Sequence, residues 1–392
     1  MKLDFSSFSL CLLIIFILFA ILYKSQIGRK TGVFIFIFTL SLTFLAFLFD
    51  PVKGWNVNGN YTDLYRFFQD MDAFNTYGWN GQSIYFNTAY QNIPIVKVIV
   101  YLVAITGNYG LLPAFSAAIV YGGTGVVLIK ANRKGELRCK YAALAFLIFF
   151  ALTNYKVMIT NIRMPIGMTV FFVLAYYDFI EERKNIPIFL GYISLCAIHS
   201  IFVLFIVFRL LMFLMDKYSK WFIYIMTAFS GLFLSLVTNI LSRFSKAAYI
   251  LSILYKIDFY TTGDKGIYYE SPIIVLGIIK IALMLVLLRE YKKKNNLDII
   301  GLNKFYELSL IITVFSIGAC WNYYLFMRIT NFLCFLIAFW SYIFYVNYRP
   351  LFRSKRKESW LVFTYTELII WCTVLIHLGY YFLSYQYRVL CF

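Results

Sequence analysis

"NIRMPIGMTVFFVLAYYDF", residues 161–179, decides how this chain is read. An arginine and a proline stand at its head, and the apolar run behind them approaches the ~20 residues of one helical pass through a bilayer. Further on, "AIHSIFVLFIVF" (197–208) interrupts a second such run with one of the chain's two histidines. Outward from these stretches, similar runs recur along the whole sequence. Backbone groups in hydrocarbon must satisfy one another, so the chain reads as an all-α integral membrane protein, one polytopic domain over 1–392.

Composition agrees. Hydrophobic residues make up 62% of the 392, aromatics 21% and charged residues 14%, against about 25% charge in a soluble globule. The first run, 8–23, lacks a basic leader and a small-residue cleavage site, so it is read as a retained span. A formal net charge of +18 does not point to nucleic acid, because the basic residues are not gathered on one soluble surface. The seven cysteines are scattered and form no CxxC pair, which predicts neither a metal site nor a disulfide framework.

Basic residues sit in short clusters between the apolar runs: Lys24/Arg29/Lys30, residues 130–140, Arg183/Lys184, Lys217/Lys220, residues 289–304 and residues 349–357. The positive-inside rule assigns all of them to the cytoplasm. Spans that satisfy it run over 8–23, 32–49, 111–129, 141–159, 164–180, 187–199, 201–215, 221–240, 272–289, 305–320, 329–347 and 360–383, a bundle of about twelve with both termini outside. Residues 93–106 are too short to cross and carry Lys97, so they are predicted to form a re-entrant or interfacial helix on the outer side. Two outer loops, 50–92 and 241–271, are longer than a connection needs and rich in aromatic, amide and acidic residues. That mixture suits sugar rings, and it equally suits the interfacial aromatic belt.

In this topology Arg66, Arg163, His199 and Arg328 share the outer face, which the positive-inside rule leaves poor in arginine. Each arginine alone is explained by snorkelling at a helix end, and His199 by a hydrogen bond between helices. Together they suggest a site for an anion, because guanidinium grips phosphate through two parallel hydrogen bonds. Within the spans, Lys280 and Glu367 are predicted to form a structural ion pair, and Arg209 and Asp178 to snorkel toward the inner side.

The stretch "NIRMPIGMTVFFVLAYYDFIEERKNIPIFLGYISLCAIHSIFVLFIVFRL" (161–210) resembles the EpsG-like branch of the Wzy-type bacterial polysaccharide polymerases, with Arg163, then the basic turn Arg183/Lys184, then His199-Ser200 in the family's order. "YTDLYRFF" (61–68) is similar to its early Asp-x-x-Arg segment, giving Asp63 and Arg66, and "MRITNFLCFLIAF" (327–339) to its late arginine-led helix, giving Arg328. Pro165 departs from the small or polar residue expected there, though it suits a first helical turn.

The resemblance implies a glycosyltransferase of the bacterial cytoplasmic membrane that acts on undecaprenyl-pyrophosphate-linked oligosaccharides and uses no cofactor. His199, Asp63 and Arg163 would be catalytic; Arg66, Arg328, Tyr65, Asn161 and Ser200 would bind substrate. Its partners would be the lipid-linked substrate, the bilayer, a flippase and a chain-length regulator. Arginines would stabilise the pyrophosphate leaving group, and His199 or Asp63 would take the acceptor proton. No nucleotide-binding loop is visible. A flippase would need a continuous polar path at the midplane; an O-antigen ligase, a larger late outer loop. A membrane-bound acyltransferase would need a suitably placed histidine, and His199 and His377 are the only two available.

Overall fold

The computed structural model describes residues 5–24, 30–49, 63–80, 94–134, 140–199, 201–229, 272–293, 301–353 and 357–390. Among these every extended element is helical and no strand element occurs. In chain order the helices are α1 (Phe5–Lys24), α2 (Thr31–Phe47), α3 (Asp63–Tyr77), α4 (Pro94–Ile105), α5 (Leu111–Lys134), α6 (Tyr141–Leu152), α7 (Tyr155–Thr160), α8 (Arg163–Ala175), α9 (Ile186–Cys196), α10 (Phe202–Met215), α11 (Pro272–Lys293), α12 (Leu302–Gly318), α13 (Tyr323–Arg353) and α14 (Lys357–Leu390). Residues 220–229 are also helical.

Among the described residues, five helices are long and apolar enough to cross a bilayer: Ser7–Lys24, Leu111–Arg133, Arg163–Ile180, Pro272–Lys293 and Tyr323–Tyr348. In its described residues the chain is therefore a helical membrane protein. Shorter apolar helices accompany them, including Thr31–Phe47, Tyr141–Leu152 and Phe202–Met215. The spans differ in what surrounds them. Only 17% of the α1 window is buried, against 94% of the α13 window. A helix apolar all round and enclosed all round is a core helix; one left bare is solvated by lipid.

Two compact units are distinguished within the chain. The first comprises 1–174, 185–199 and 374–392. Its centre is the pairing of α2 with α5. Small residues permit that approach, since a Cβ on Gly125 would stand 2.4 Å from Ile35; on another side of α5, one on Gly123 would stand 2.5 Å from Thr169 of α8. Phe19, Phe38, Phe150 and Tyr121 fill the space around this contact, with the rings of Phe19 and Phe38 stacked 4.3 Å apart.

The second unit comprises 175–184 and 200–373. There α11 pairs with α13, and Gly277 takes the Phe326 ring where a Cβ would come within 2.4 Å of it. Tyr291 and Phe305 pack on Trp340, whose indole Nε1 donates to Ser309 Oγ at 2.9 Å, so the buried donor is satisfied. α8 ends in a π turn, Tyr176–Ile180. Gly301 (φ 81) sits against that turn; a side chain there would strike the Phe179 carbonyl oxygen.

Several expectations are corrected. The predicted span 141–159 is broken, because Asn154 caps a new short helix by accepting from the Val157 amide at 3.3 Å. The expected loop 50–92 contains helix α3, which buries Leu64, Phe67, Phe68, Met71 and Phe74 at 3.6-residue spacing. Lys280 donates to Asn331 Oδ1 at 3.3 Å rather than to Glu367. Arg209 and buried Asp178 form a bidentate pair, Nε to Oδ2 at 2.5 Å and Nη2 to Oδ1 at 3.3 Å, instead of snorkelling separately. Loop 241–271 and most of the expected span 221–240 lie outside the described residues, as does Ser200.

Candidate functional site

The site is built where α3 meets the short segment between α6 and α8. Asp63 opens α3, where a carboxylate is favoured by the helix dipole. Arg66 and Phe67 follow three and four residues later, on the same face. On the other side the chain leaves α6 at Thr153 in extended conformation, forms α7 between Asn154 and Asn161, and enters α8 at Arg163. Asn161 closes α7 with its amide on Val157 O, and its carbonyl receives the Met164 amide at 3.0 Å. Pro165 occupies the first turn of α8, and its carbonyl accepts the Thr169 hydroxyl at 2.8 Å. The polar break thus delivers Arg163 to α3 in a fixed orientation.

Arg163 Nη2 donates to Asp63 Oδ2 at 3.0 Å, and Arg66 Nη1 lies 3.8 Å from Asp63 Oδ1. The Arg163 guanidinium also stands 5.8 Å from the Phe67 ring centroid, a cation–π contact. Exposure is graded: the Arg163 side chain is 7% accessible, Asp63 26% and Arg66 43%. One carboxylate therefore holds two guanidinium groups, one sequestered and one open to solvent. The trio carries net positive charge, and its open edge can receive an anion.

Of the residues predicted from sequence, the structure brings together Asp63, Arg66 and Arg163. Tyr65 lies half-buried on the same helix, and Asn161 lies two residues before Arg163. His199 is buried in the turn closing α9, its amide on Leu195 O at 3.1 Å, in the same compact unit. Arg328 is half-buried near the start of α13, in the other unit.

Two nearby residues escaped the sequence reading. Lys156 is 6% exposed on α7, which packs against α3. Asp70, buried at 2%, lies two turns along α3 from Asp63. The asparagine cap at 154 was the available signal for Lys156, since Asn before an apolar run marks a helix start. Thr153 and Tyr155, at the same break, line an apolar cavity of about 180 Å³ together with Phe16 of α1 and Leu378 of α14.

The far end of α3 carries a second polar group. The Tyr109 hydroxyl donates to Asp72 Oδ1 at 2.6 Å and accepts from Asn75 Nδ2 at 3.0 Å. Burial, then the hydrogen bond and negative charge of Asp72, push the Tyr109 hydroxyl up to about 12. Beside it Lys97 of α4 stands 4.6 Å from the Trp79 ring, and Trp79 is in edge contact with Tyr101 at 5.0 Å. A lysine on this twelve-residue apolar helix is thus held by aromatic faces.

Among the described residues no cluster of His, Cys, Asp and Glu has metal-ligand geometry. The fold and this site define a multi-helix membrane protein with a guanidinium–carboxylate cluster at the junction of two helices. Comparisons with protein-family models, curated proteins and solved structures find no match to the chain.

Proposed function

We propose that the protein is a bacterial polysaccharide polymerase that joins undecaprenyl-pyrophosphate-linked repeat units at the outer face of the cytoplasmic membrane. The observation that carries this reading is the Arg163–Asp63–Arg66 cluster. Residues a hundred positions apart meet at the two segments whose sequence resembles the Wzy-type polymerases. The topology expected from the basic clusters would put this cluster outside, where membrane proteins otherwise carry few arginines.

In the reaction the pyrophosphate leaves the anomeric carbon of the growing chain while a hydroxyl of the next unit attacks. Negative charge grows on the bridging oxygen, and guanidinium groups aimed at it lower the barrier. Arg66, the more exposed, meets the pyrophosphate; Arg163, held on Asp63 and Phe67, fixes the field behind it. His199 and Asp63 are the two candidate bases, and Tyr65 and Asn161 bind the substrate's phosphates and sugars. The apolar cavity beside Thr153 and Tyr155 offers room for part of an isoprenoid tail. A flippase and a chain-length regulator supply the substrate and set the polymer length.

Surface glycan from complemented deletion strains tests the reading. Arg163→Ala and Arg66→Ala should replace the ladder of long chains by a single repeat unit on the lipid core, at normal protein level in the membrane. Full ladders from both variants would remove the cluster from the reaction. Loss of all surface glycan in the deletion strain, including the single unit, would favour a flippase. In a cysteine-free background, cysteines at 58 and 262 should label from outside and one at 132 should not; the reverse pattern would overturn the topology.

A further inference from the structure

A cavity of about 240 Å³ in the second unit is lined by charged residues of both signs. It lies among three chain segments at helix ends: the turn after α8, the last turn of α10 and the first turn of α12. Glu182 and Asp216 contribute carboxylates; Lys184 and Lys304 contribute ammonium groups. Among the described residues none of these four side chains forms an ion pair, although they border one space. Arg209 also borders it, with Nε and Nη2 committed to buried Asp178.

Local geometry fixes this spacing. The π turn at 176–180 brings Asp178 under Arg209. Glu182 then adopts a left-handed backbone (φ 52), rare for a side chain of its kind, and Gly301 packs against the Phe179 carbonyl so that α12 starts beside the turn. Opposite charges that line one cavity without pairing suit a ligand that itself carries both signs. Met212 and Phe213 add an apolar wall, and Phe213 and Leu210 continue as exposed surface on α10, 55% and 59% accessible. A ligand filling the cavity and following that surface is polar at one end and apolar at the other. Basic residues at helix ends mark the headgroup depth of a bilayer.

We propose that this cavity binds the headgroup of phosphatidylethanolamine. Its phosphate is met by Lys184, Lys304 and the free edge of Arg209, its primary ammonium by Glu182 and Asp216, and its glycerol and acyl chains by Phe213 and Leu210. Choline lipids fit less well, because a quaternary ammonium donates no hydrogen bond to the carboxylates. Phosphatidylglycerol offers no cation to them.

Native mass spectrometry of the detergent-purified protein, titrated with phosphatidylethanolamine, phosphatidylcholine and phosphatidylglycerol, tests this. Phosphatidylethanolamine should bind about tenfold more tightly than either, the expected effect of one good charged hydrogen bond. The double variant Glu182→Gln/Asp216→Asn should erase that preference, while Lys184→Gln/Lys304→Gln should weaken all three lipids and Lys292→Gln, which does not line the cavity, should change nothing. Thermal unfolding of each variant without added lipid checks that the exposed substitutions leave the fold intact. Equal binding of the three lipids, an unchanged preference in the carboxylate double variant, or equally tight binding of soluble phosphoethanolamine would each overturn the assignment.

Discussion

Replacing Asp63 with asparagine, with Arg163 left in place, removes the carboxylate from a guanidinium that is almost wholly enclosed. At 3.0 Å and an effective dielectric of about 20, the attraction of a full ion pair is about 5 to 6 kcal/mol before desolvation. Desolvating the guanidinium takes back several kcal/mol. Asp63 retains a quarter of its exposure, so the pair falls between a surface bridge and a buried one. The net coupling expected is about 2 kcal/mol. Asp63→Asn keeps shape and one acceptor oxygen, and should cost most of that amount. Arg163→Met deletes the charge and retains apolar volume, so the double variant should be no worse than Asp63→Asn alone.

A double-mutant cycle by equilibrium unfolding in mixed micelles measures this coupling. If the two single effects add to within about 0.5 kcal/mol, the pair contributes nothing beyond its separate members, and the site loses its organising contact. The cycle also separates structure from chemistry. Glycan ladders that vanish in Arg66→Ala, with unfolding unchanged, would show that the exposed guanidinium is used for more than folding. Arg66 is suited to that control, because its 3.8 Å contact at 43% exposure is worth little to stability.

Gly277→Leu should cost about 1–3 kcal/mol by forcing the Phe326 ring off its seat, read as a lower unfolding midpoint; an unchanged midpoint would mean that α11 and α13 are not held at this contact. Asn331→Leu deprives the enclosed Lys280 Nζ of a side-chain acceptor and should destabilise by about 1–3 kcal/mol, more than Glu367→Gln does. Equal effects would restore the rejected pairing. Tyr109 keeps its proton in the folded state to about pH 12, above the ordinary value of 10.0. Its contribution to stability is therefore fully present below pH 10 and is lost as pH rises through 12. Difference ultraviolet titration against Tyr109→Phe should locate this late tyrosine, and Asp72→Asn should shift it down; an early titration would break the network.

Hydropathy made the membrane class legible, because apolar length is a property of sequence alone. Where helices break inside an apolar run was less visible. Residues 141–159 read as one span until the Asn154 cap is weighed, since a single capping hydrogen bond outcompetes hydropathy locally. The helix at 63–77 was hidden by the opposite bias. Its polar composition resembled a loop, although Leu64, Phe67, Phe68 and Met71 already mark a buried stripe. Asp178 and Arg209 are thirty-one positions apart, and only the π turn sets the carboxylate at the guanidinium's edge.

Charge at the candidate site was predicted in kind but not in pairing. Sequence reasoning placed arginines on one face and assigned them to an anion, leaving Asp63 as a rival base. The structure makes Asp63 the carboxylate that positions Arg163, which bears on its chemistry. A base must hold a lone pair toward the acceptor hydroxyl, yet Oδ2 already accepts from Arg163 and Oδ1 faces Arg66. On the proposed function, the proton-accepting role then falls to His199 and Asp63 takes a positioning role. Asp63→Asn should then shorten polymer without changing the pH profile of chain extension, whereas His199→Gln should remove the limb set by the base. An altered pH profile in Asp63→Asn, with His199→Gln unaffected, would return the base to Asp63.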